Sequence, residues 1–216
     1  MTAAVVFDMD GVIVDSEQVW EEVREAYTLE HGRVYTERAT RDMMGMSSTE
    51  WSRYMAEVLG LPGTPEEINA AVVERMLARY GEDPPLIPGA VDAVRTIAAR
   101  WPCAIASSSN RELIEVVLRV SGLAGVVREE VSSEEVARGK PAPDVYLEAA
   151  RRLGADPAAS AGVEDSHNGI RSAKAAGMRV IAVPNPHFPP DQEAMAQADV
   201  VLGSIRELTP ELVASL

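Results

Sequence analysis

The sequence has a single cysteine, Cys103, and is short of positive charge. One thiol excludes an internal disulfide and any cysteine-rich zinc site. The 216 residues include 34 acidic side chains against 20 lysines and arginines, a formal net charge of −14. Such a chain lacks the basic surface that nucleic acids and anionic membranes require, so we expect neither as a partner. An anionic ligand must therefore be held by local features such as a metal ion, a lysine or a helix N-terminus.

No basic segment and no long apolar run open the chain. We therefore expect neither a secretion signal nor a membrane span, and a reducing cytoplasmic location. Hydrophobic residues make up 46% and charged residues 25% of the chain, a profile typical of a globular protein long enough to bury its own core. Both a monomer and a small homo-oligomer are compatible with these totals.

The apolar residues 3–7 lead directly into two aspartates, Asp8 and Asp10, followed by Gly11. A short apolar run bounded by a turn signal predicts a strand that is buried on both faces. Carboxylates at the end of such a strand are costly unless a cation neutralises them, and divalent cations prefer oxygen ligands. The alternative interpretation is an acidic turn with two solvated aspartates.

Residues 16–81 have the patterns of helices. One predicted helix runs from Glu17 to a C-cap at Gly32, and two more cover 48–59 and 65–80. The buried face predicted for the first helix consists of Val19, Val23, Ala26 and Glu30, joined by Trp20 and Tyr27. Prolines and glycines at 82–85 and 88–89 then mark the clearest boundary in the chain.

Beyond this boundary, helices and strands alternate. The predicted strands are 103–106, 126–131, 160–163, 179–183 and 199–202, and the predicted helices are 91–100, 112–121, 143–153, 168–176 and 210–215. Alternation of this kind predicts parallel βαβ units, to which the opening strand also belongs. The predicted fold class is therefore α/β, a Rossmann-like parallel-sheet core of residues 1–15 and 82–216 with a helical cap domain, 16–81, inserted after the first strand.

Polar residues follow the predicted strands at the sheet edge where ligands bind in open parallel sheets. Ser107 and Ser108 precede a helix, and Lys140 lies between a glycine and a proline; both arrangements suit a phosphate. Glu164 and Asp165 form a second acid pair. Taken singly, these are also explained as a helix cap, a surface turn and acids at a helix N-terminus. Because all of these residues are predicted to lie at one sheet edge, the sequence favours a site for a phosphate and a cation.

Four segments resemble the four motifs of the haloacid dehalogenase superfamily: Asp8-Met9-Asp10-Gly11, Ser107, Lys140 and Glu164-Asp165. Two longer segments are similar to the branch that holds β-phosphoglucomutases and small sugar-phosphate phosphatases, namely Gly139-Lys140-Pro141-Ala142-Pro143-Asp144 and Glu164-Asp165-Ser166 with Gly169. The resemblance covers nearly the whole chain, including the inserted cap.

The resemblance implies a role for each matching residue. Asp8 would be the nucleophile that takes the phosphoryl group, and Asp10 the general acid for the leaving oxygen and then the base for water. The other implied roles are phosphoryl binding by Ser107, Ser108 and Lys140, and Mg²⁺ binding by Asp8, Glu164, Asp165 and the carbonyl oxygen of Asp10. Phosphoryl transfer fits these roles because it needs positive charge at the equatorial oxygens, and a carboxylate nucleophile divides one hydrolysis into two easier steps.

The cap bears on the reaction class. The mutases of this branch carry a histidine ten residues after the second aspartate and a cap arginine for a second phosphate. Here the first position is Trp20, and the matching segment 45–51 has no arginine or lysine. Arg53, Arg75 and Arg79 are possible replacements, although each is more simply a solvated helix residue.

We therefore expect Mg²⁺-dependent hydrolysis of a small phosphomonoester, a sugar or polyol phosphate, with a small phosphorylated metabolite as the partner. The residues from Asp15 to Trp20 also resemble hexose- and hexitol-phosphate phosphatases. The alternatives are a phosphosugar mutase and a domain that binds its ligand without turnover. The candidates to line the substrate side of the cap are Trp20, Met44, Met46 and Trp51, with packing inside the cap as the alternative role.

Overall fold

The computed structural model describes residues 2–43, 46–185 and 189–216. Its centre is a parallel sheet of β1 (Ala4–Phe7), β2 (Cys103–Ser107), β3 (Glu129–Ser132), β4 (Ser160–Glu164), β5 (Arg179–Ala182) and β6 (Val200–Val201). The strand order is β3-β2-β1-β4-β5-β6. The predicted α/β class with a parallel sheet is confirmed.

The register puts the first acidic motif at the middle of the sheet edge. Phe7 on β1 pairs with Ile105 on β2 and with Val163 on β4. Asp8, the next residue, therefore leaves the sheet between the ends of β2 and β4. All four residues of β1 are buried, as expected for a central strand of a parallel sheet.

In the described part of the chain, β1 is followed by the helices α1 (Glu17–Glu30), α2 (Glu37–Met43), α3 (Ser48–Glu57) and α4 (Pro65–Glu82). The remaining helices are α5 (Ala90–Ala98), α6 (Arg111–Val120), α7 (Asp144–Leu153), α8 (His167–Ala175), α9 (Gln192–Met195) and α10 (Pro210–Ala214). Within the described residues, no helix combines the length and the apolar character needed to cross a bilayer.

Two hydrophobic clusters cover the two faces of the sheet. Successive side chains of a strand point to opposite faces, and accordingly Val5 and Phe7 belong to one cluster while Val6 belongs to the other. The first cluster continues into the helices between β1 and α5, with Trp51 and Met76 among its buried members.

The two segments that connect these helices to the sheet, one before α1 and one after α4, lie side by side. The amide of Asp15 donates to the carbonyl of Pro85 (2.8 Å), and the amide of Ile87 donates to that of Ile13 (2.9 Å). A bridge joins Val14 to Leu86. The inserted helices are thus joined to the sheet at a double connection close to the first acidic motif.

Several element bounds differ from the predicted ones. The helices α2 and α9 were not predicted, and α4 continues through Gly81, which keeps a helical conformation. The predicted strand 126–131 lies instead at Glu129–Ser132. Val126 and Val127 belong to the turn after α6, where both amides donate to the carbonyl of Leu123. The strand itself includes two glutamates, which an edge strand tolerates because one side faces solvent.

Candidate active site

Asp8 begins the site at the carboxyl end of β1. Its amide donates to the carbonyl of Val163 (2.9 Å), and this bond continues the β1–β4 ladder by one residue. The residue is 5% exposed. Its Oδ1 accepts from the amide of Met9 (2.7 Å) and lies 2.9 Å from Nζ of Lys140. The central strand therefore presents one carboxylate, in a fixed orientation, at the sheet edge.

Lys140 reaches the same place from the loop ahead of α7. Its Nζ lies 2.6 Å from Oε1 of Glu164, which also accepts from the hydroxyl of Tyr146 (2.7 Å). The ammonium is 5.2 Å from the centre of the Tyr146 ring. Burial lowers the pKa of Lys140, but attraction to Asp8 and Glu164 outweighs burial, so the pKa is raised. Lys140 is therefore a buried cation that contacts the carboxyl groups of Asp8 and Glu164.

Asp8, Glu164 and Asp165 form a buried acidic cluster, in which one carboxylate oxygen of each residue lies within 4.8 Å of the others. Burial, followed by repulsion from Glu164, raises the pKa of Asp8 to about 8. The same two causes raise the pKa of Asp165 well above its ordinary value. Three carboxylates face one lysine here, so the chain's own cations do not balance the cluster. Hard oxygen donors with excess negative charge fit a divalent cation such as Mg²⁺.

Two glycines allow this cluster to pack so closely. A Cβ at Gly169, in the first turn of α8, would overlap the carboxyl group of Glu164. A Cβ at Gly11 would overlap the carboxyl group of Asp165, and the positive φ of Gly11 (78°) is also one that other residues avoid. Both glycines are therefore required by close approach to a carboxylate.

The carboxylate of Asp10 is held by hydroxyl groups. Its Oδ2 accepts from the hydroxyls of Ser107 (3.1 Å) and Ser109 (2.8 Å), and the indole N–H of Trp20 lies 3.5 Å from Oδ1. Ser107 is fully buried, and its hydroxyl also accepts from the amide of Ser109 (3.0 Å). The loop between β2 and α6 therefore orients Asp10, while Trp20 contacts it from α1.

Two cavities meet at Asp10. The core cavity lies over the acidic cluster and is lined by Asp8, Asp10, Glu17, Ser108, Lys140, Asp165, Ser166, His167, Asn168 and Asn185. The cap cavity lies on the side of the inserted helices and is lined by Asp10, Glu17, Trp20, Arg24, Met46, Trp51, Ser108 and Ser109. Of the predicted site residues, Ser107 and Glu164 line neither cavity, and Ser108 lines both.

The structure brings three predicted cap residues, Trp20, Met46 and Trp51, to the cap cavity. The ring centres of Trp20 and Trp51 are 5.7 Å apart, and both side chains also belong to the hydrophobic core. Met44 lies outside the described residues. Two of the arginines weighed as cap cations form exposed ion pairs, Arg79 with Glu22 (3.1 Å) and Arg75 with Glu30 (2.7 Å).

Sequence reasoning missed Arg24 and Glu17. The predicted buried face of α1 was partly wrong, because Ala26 and Glu30 are exposed. The buried residues are Trp20, Val23, Arg24, Tyr27 and Thr28. A charged residue at the i+4 position from a buried tryptophan is the signal that could have identified Arg24.

Comparisons with known proteins agree with this fold and identify the family. The family model described as haloacid dehalogenase-like hydrolase matches residues 2–177. A probable pseudouridine-5'-phosphatase of Drosophila melanogaster is 34% identical over 215 residues, covering 95% of this chain and 91% of that protein. Hexitol phosphatase B of Escherichia coli K12 is 32% identical over 225 residues, covering 95% and 94%.

A solved structure described as a putative β-phosphoglucomutase from Thermotoga maritima superposes with a TM-score of 0.75 at 28% identity, and all of both chains is covered. The chain belongs to the haloacid dehalogenase-like hydrolase family, as the motifs around Asp8, Lys140 and Asp165 predicted. It is similar over at least 95% of its length both to a hexitol phosphatase and to a protein described as a putative β-phosphoglucomutase.

Proposed function

We propose that this chain is a Mg²⁺-dependent phosphatase that hydrolyses a small phosphomonoester, a sugar or polyol phosphate, through an aspartyl-phosphate at Asp8. The observation that carries the proposal is the buried grouping of Asp8, Lys140, Glu164 and Asp165 at one sheet edge, with Asp10 at the junction of the two cavities. Relatives named hexitol phosphatase B, (DL)-glycerol-3-phosphatase 1 and phosphorylated carbohydrates phosphatase support the reaction class.

In the first step, the carboxylate of Asp8 attacks the phosphorus atom and the bond to the leaving oxygen breaks. Asp10 donates a proton to that oxygen. In the second step, Asp10 takes a proton from water, which attacks the phosphorus and releases phosphate from Asp8. The hydroxyls of Ser107 and Ser109 orient Asp10 for both transfers.

Positive charge at the phosphoryl oxygens is the main electrostatic requirement of this reaction. Lys140, 2.9 Å from Asp8, supplies part of it, and Ser108, which lines both cavities, adds a hydrogen bond. Ser107 acts instead through Asp10, because its buried hydroxyl donates to that carboxylate and lines neither cavity. Mg²⁺, held by Asp8, Glu164, Asp165 and the carbonyl oxygen of Asp10, would neutralise further charge on the phosphoryl oxygens.

The helices of residues 16–81 act in this proposal as a cap domain on a core of residues 1–15 and 82–216. The double connection at Val14–Asp15 and Pro85–Ile87 is where such a cap would hinge. Closure would exclude bulk water from the reacting group. Trp20, Met46 and Trp51 line the cap cavity and would contact the leaving group.

Phosphate release from p-nitrophenyl phosphate tests the proposal. We expect wild-type turnover that requires Mg²⁺ and is abolished in Asp8→Asn, which removes the nucleophile and keeps the side-chain volume. Turnover that persists in Asp8→Asn rules out the covalent route. The mutase alternative is tested with β-glucose 1-phosphate and a bisphosphate activator, where isomerisation much faster than phosphate release would favour it over hydrolysis.

A further inference from the structure

One arginine of the cap is buried without an ion pair. Arg24 on α1 is 6% exposed. Its guanidinium carbon lies 4.7 Å from the centre of the Trp20 ring and 5.3 Å from that of Trp51. The Nε has no hydrogen-bond partner, and no carboxylate among residues 2–43, 46–185 and 189–216 forms an ion pair with the guanidinium. Burial lowers the pKa of Arg24, as expected for a desolvated cation.

This arrangement is unfavourable for the folded protein alone. A buried donor without an acceptor keeps its desolvation cost, and stacking on an indole face does not satisfy an N–H group. Arg24 lines the cap cavity, so a ligand in that cavity can supply the missing acceptors.

Glu17 supplies the complementary group. It lines the cap cavity together with Arg24, and it also lines the core cavity. Burial raises the pKa of Glu17, and the charge of Arg24 partly offsets this. The cap cavity thus holds N–H donors on Arg24, acceptors on Glu17 and the hydroxyls of Ser108 and Ser109.

We propose that Arg24 and Glu17 are specificity-determining residues that bind the hydroxyl groups of the leaving alcohol. A hydroxyl oxygen accepts from the guanidinium, and a hydroxyl proton is donated to the carboxylate; a polyhydroxylated alcohol can do both. Trp20 and Trp51 offer apolar faces to the carbon chain between the hydroxyls. The assignment rests on the proposed phosphatase function, since the leaving alcohol exists only in that reaction.

A second phosphate or a carboxylate on the substrate fits this cavity less well. Such a group would pair with Arg24 but would also face Glu17 and Asp10. The cavity lining has two carboxylates against one guanidinium. Repulsion between buried like charges is strong at low dielectric, so an uncharged polyol is the better occupant.

The test compares Arg24→Met with wild type on two kinds of phosphomonoester. Glycerol 3-phosphate and a hexitol phosphate carry hydroxyls on the leaving group, whereas p-nitrophenyl phosphate does not. The matched control is Arg75→Met, because Arg75 also lies over an aromatic ring (Tyr27, 4.8 Å) but pairs with Glu30 at the surface.

We expect Arg24→Met to lower kcat/KM for the polyol phosphates by about 10- to 100-fold, the loss of one or two hydrogen bonds to a charged donor. Turnover of p-nitrophenyl phosphate, which has no hydroxyl on its leaving group, falls much less, and Arg75→Met leaves both substrates unaffected. Glu17→Gln shifts the ratio between the substrates in the same direction. The ligand-free Arg24→Met protein melts no lower than wild type, since a desolvated cation has been removed.

Three results overturn the assignment. The first is an equal loss of kcat/KM on both kinds of substrate in Arg24→Met, and the second is an unchanged preference for polyol phosphates in that variant. The third is that wild type prefers a substrate with a second anionic group and that Arg24→Met alone loses this preference. Failure of the proposed function is a separate result, because wild type would then release no phosphate even from p-nitrophenyl phosphate.

Discussion

A methyl group at Gly169 tests how the acidic cluster is built. The Cβ of Gly169→Ala would overlap the carboxyl carbon and both oxygens of Glu164. Glu164 cannot shift freely, because its carboxylate contacts Nζ of Lys140 (2.6 Å), the hydroxyl of Tyr146 (2.7 Å) and the amide of Asp165 (3.2 Å). We expect the substitution to displace Glu164 from the cluster.

Two opposing effects set the change in folding stability caused by Gly169→Ala. Alanine favours a helix over glycine by about 1 kcal/mol, while overpacking of a tight interior costs about 1–3 kcal/mol. The expected net result is destabilisation by about 0–2 kcal/mol. The effect on the metal should be larger, since disturbing groups that orient metal ligands weakens binding by about 10- to 100-fold.

A Mg²⁺ titration of p-nitrophenyl phosphate turnover measures this effect. Gly169→Ala should need about 10- to 100-fold more Mg²⁺ for half-maximal activity than wild type. The matched control is Gly81→Ala in α4, where the Cβ meets nothing within 4 Å and alanine should stabilise the helix by about 0.5–1 kcal/mol. If both variants show the wild-type Mg²⁺ requirement, Glu164 is not a metal ligand and the reasoning fails.

Two further predictions concern stability and the cap. Because the pKa of Asp8 is raised from 3.8 to about 8, the metal-free folded chain holds a proton that the unfolded chain releases, so its stability falls as pH rises through that window. In thermal melts without metal, the stability of Asp8→Asn should therefore fall less steeply with rising pH than that of wild type. A steeper or reversed dependence on pH in that variant contradicts Asp8 as the cause. Oε1 of Glu134 accepts from the hydroxyl of Ser48 on α3 (3.0 Å) and from the side-chain amide of Asn110 (2.7 Å). Glu134→Ala should raise KM about fivefold and change kcat less, as expected for one lost hydrogen bond between the proposed cap and the rest of the chain. An unchanged KM argues against this contact.

The arrangement of the core followed from local patterns. The strands β1, β2 and β4 are short, largely apolar runs, and the residues that bear the chemistry lie at their carboxyl ends or directly after them. Parallel strands bring such residues to one edge without any knowledge of side-chain packing. The acidic cluster of Asp8, Glu164 and Asp165 was therefore predictable, as was the approach of Lys140.

The cap cavity was not predictable in the same way. Its lining depends on the rotation of α1 about its axis, and an error of about one residue placed Ala26 at the face that Arg24 and Tyr27 occupy. Long-range contacts were equally hidden, as with Ser48 and Glu134, which are 86 residues apart in the chain. The rotation of a helix and contacts between residues far apart in the chain depend on tertiary packing, which periodicity alone does not determine.

Chemical trapping of the covalent intermediate tests the central claim most directly. Borohydride added during Mg²⁺-dependent turnover reduces an aspartyl-phosphate to homoserine, and peptide mass spectrometry locates the modified residue. We predict homoserine at position 8, and none in reactions without substrate or in Asp8→Asn. Modification at Asp10 instead, or full turnover with position 8 never modified, would contradict Asp8 as the nucleophile.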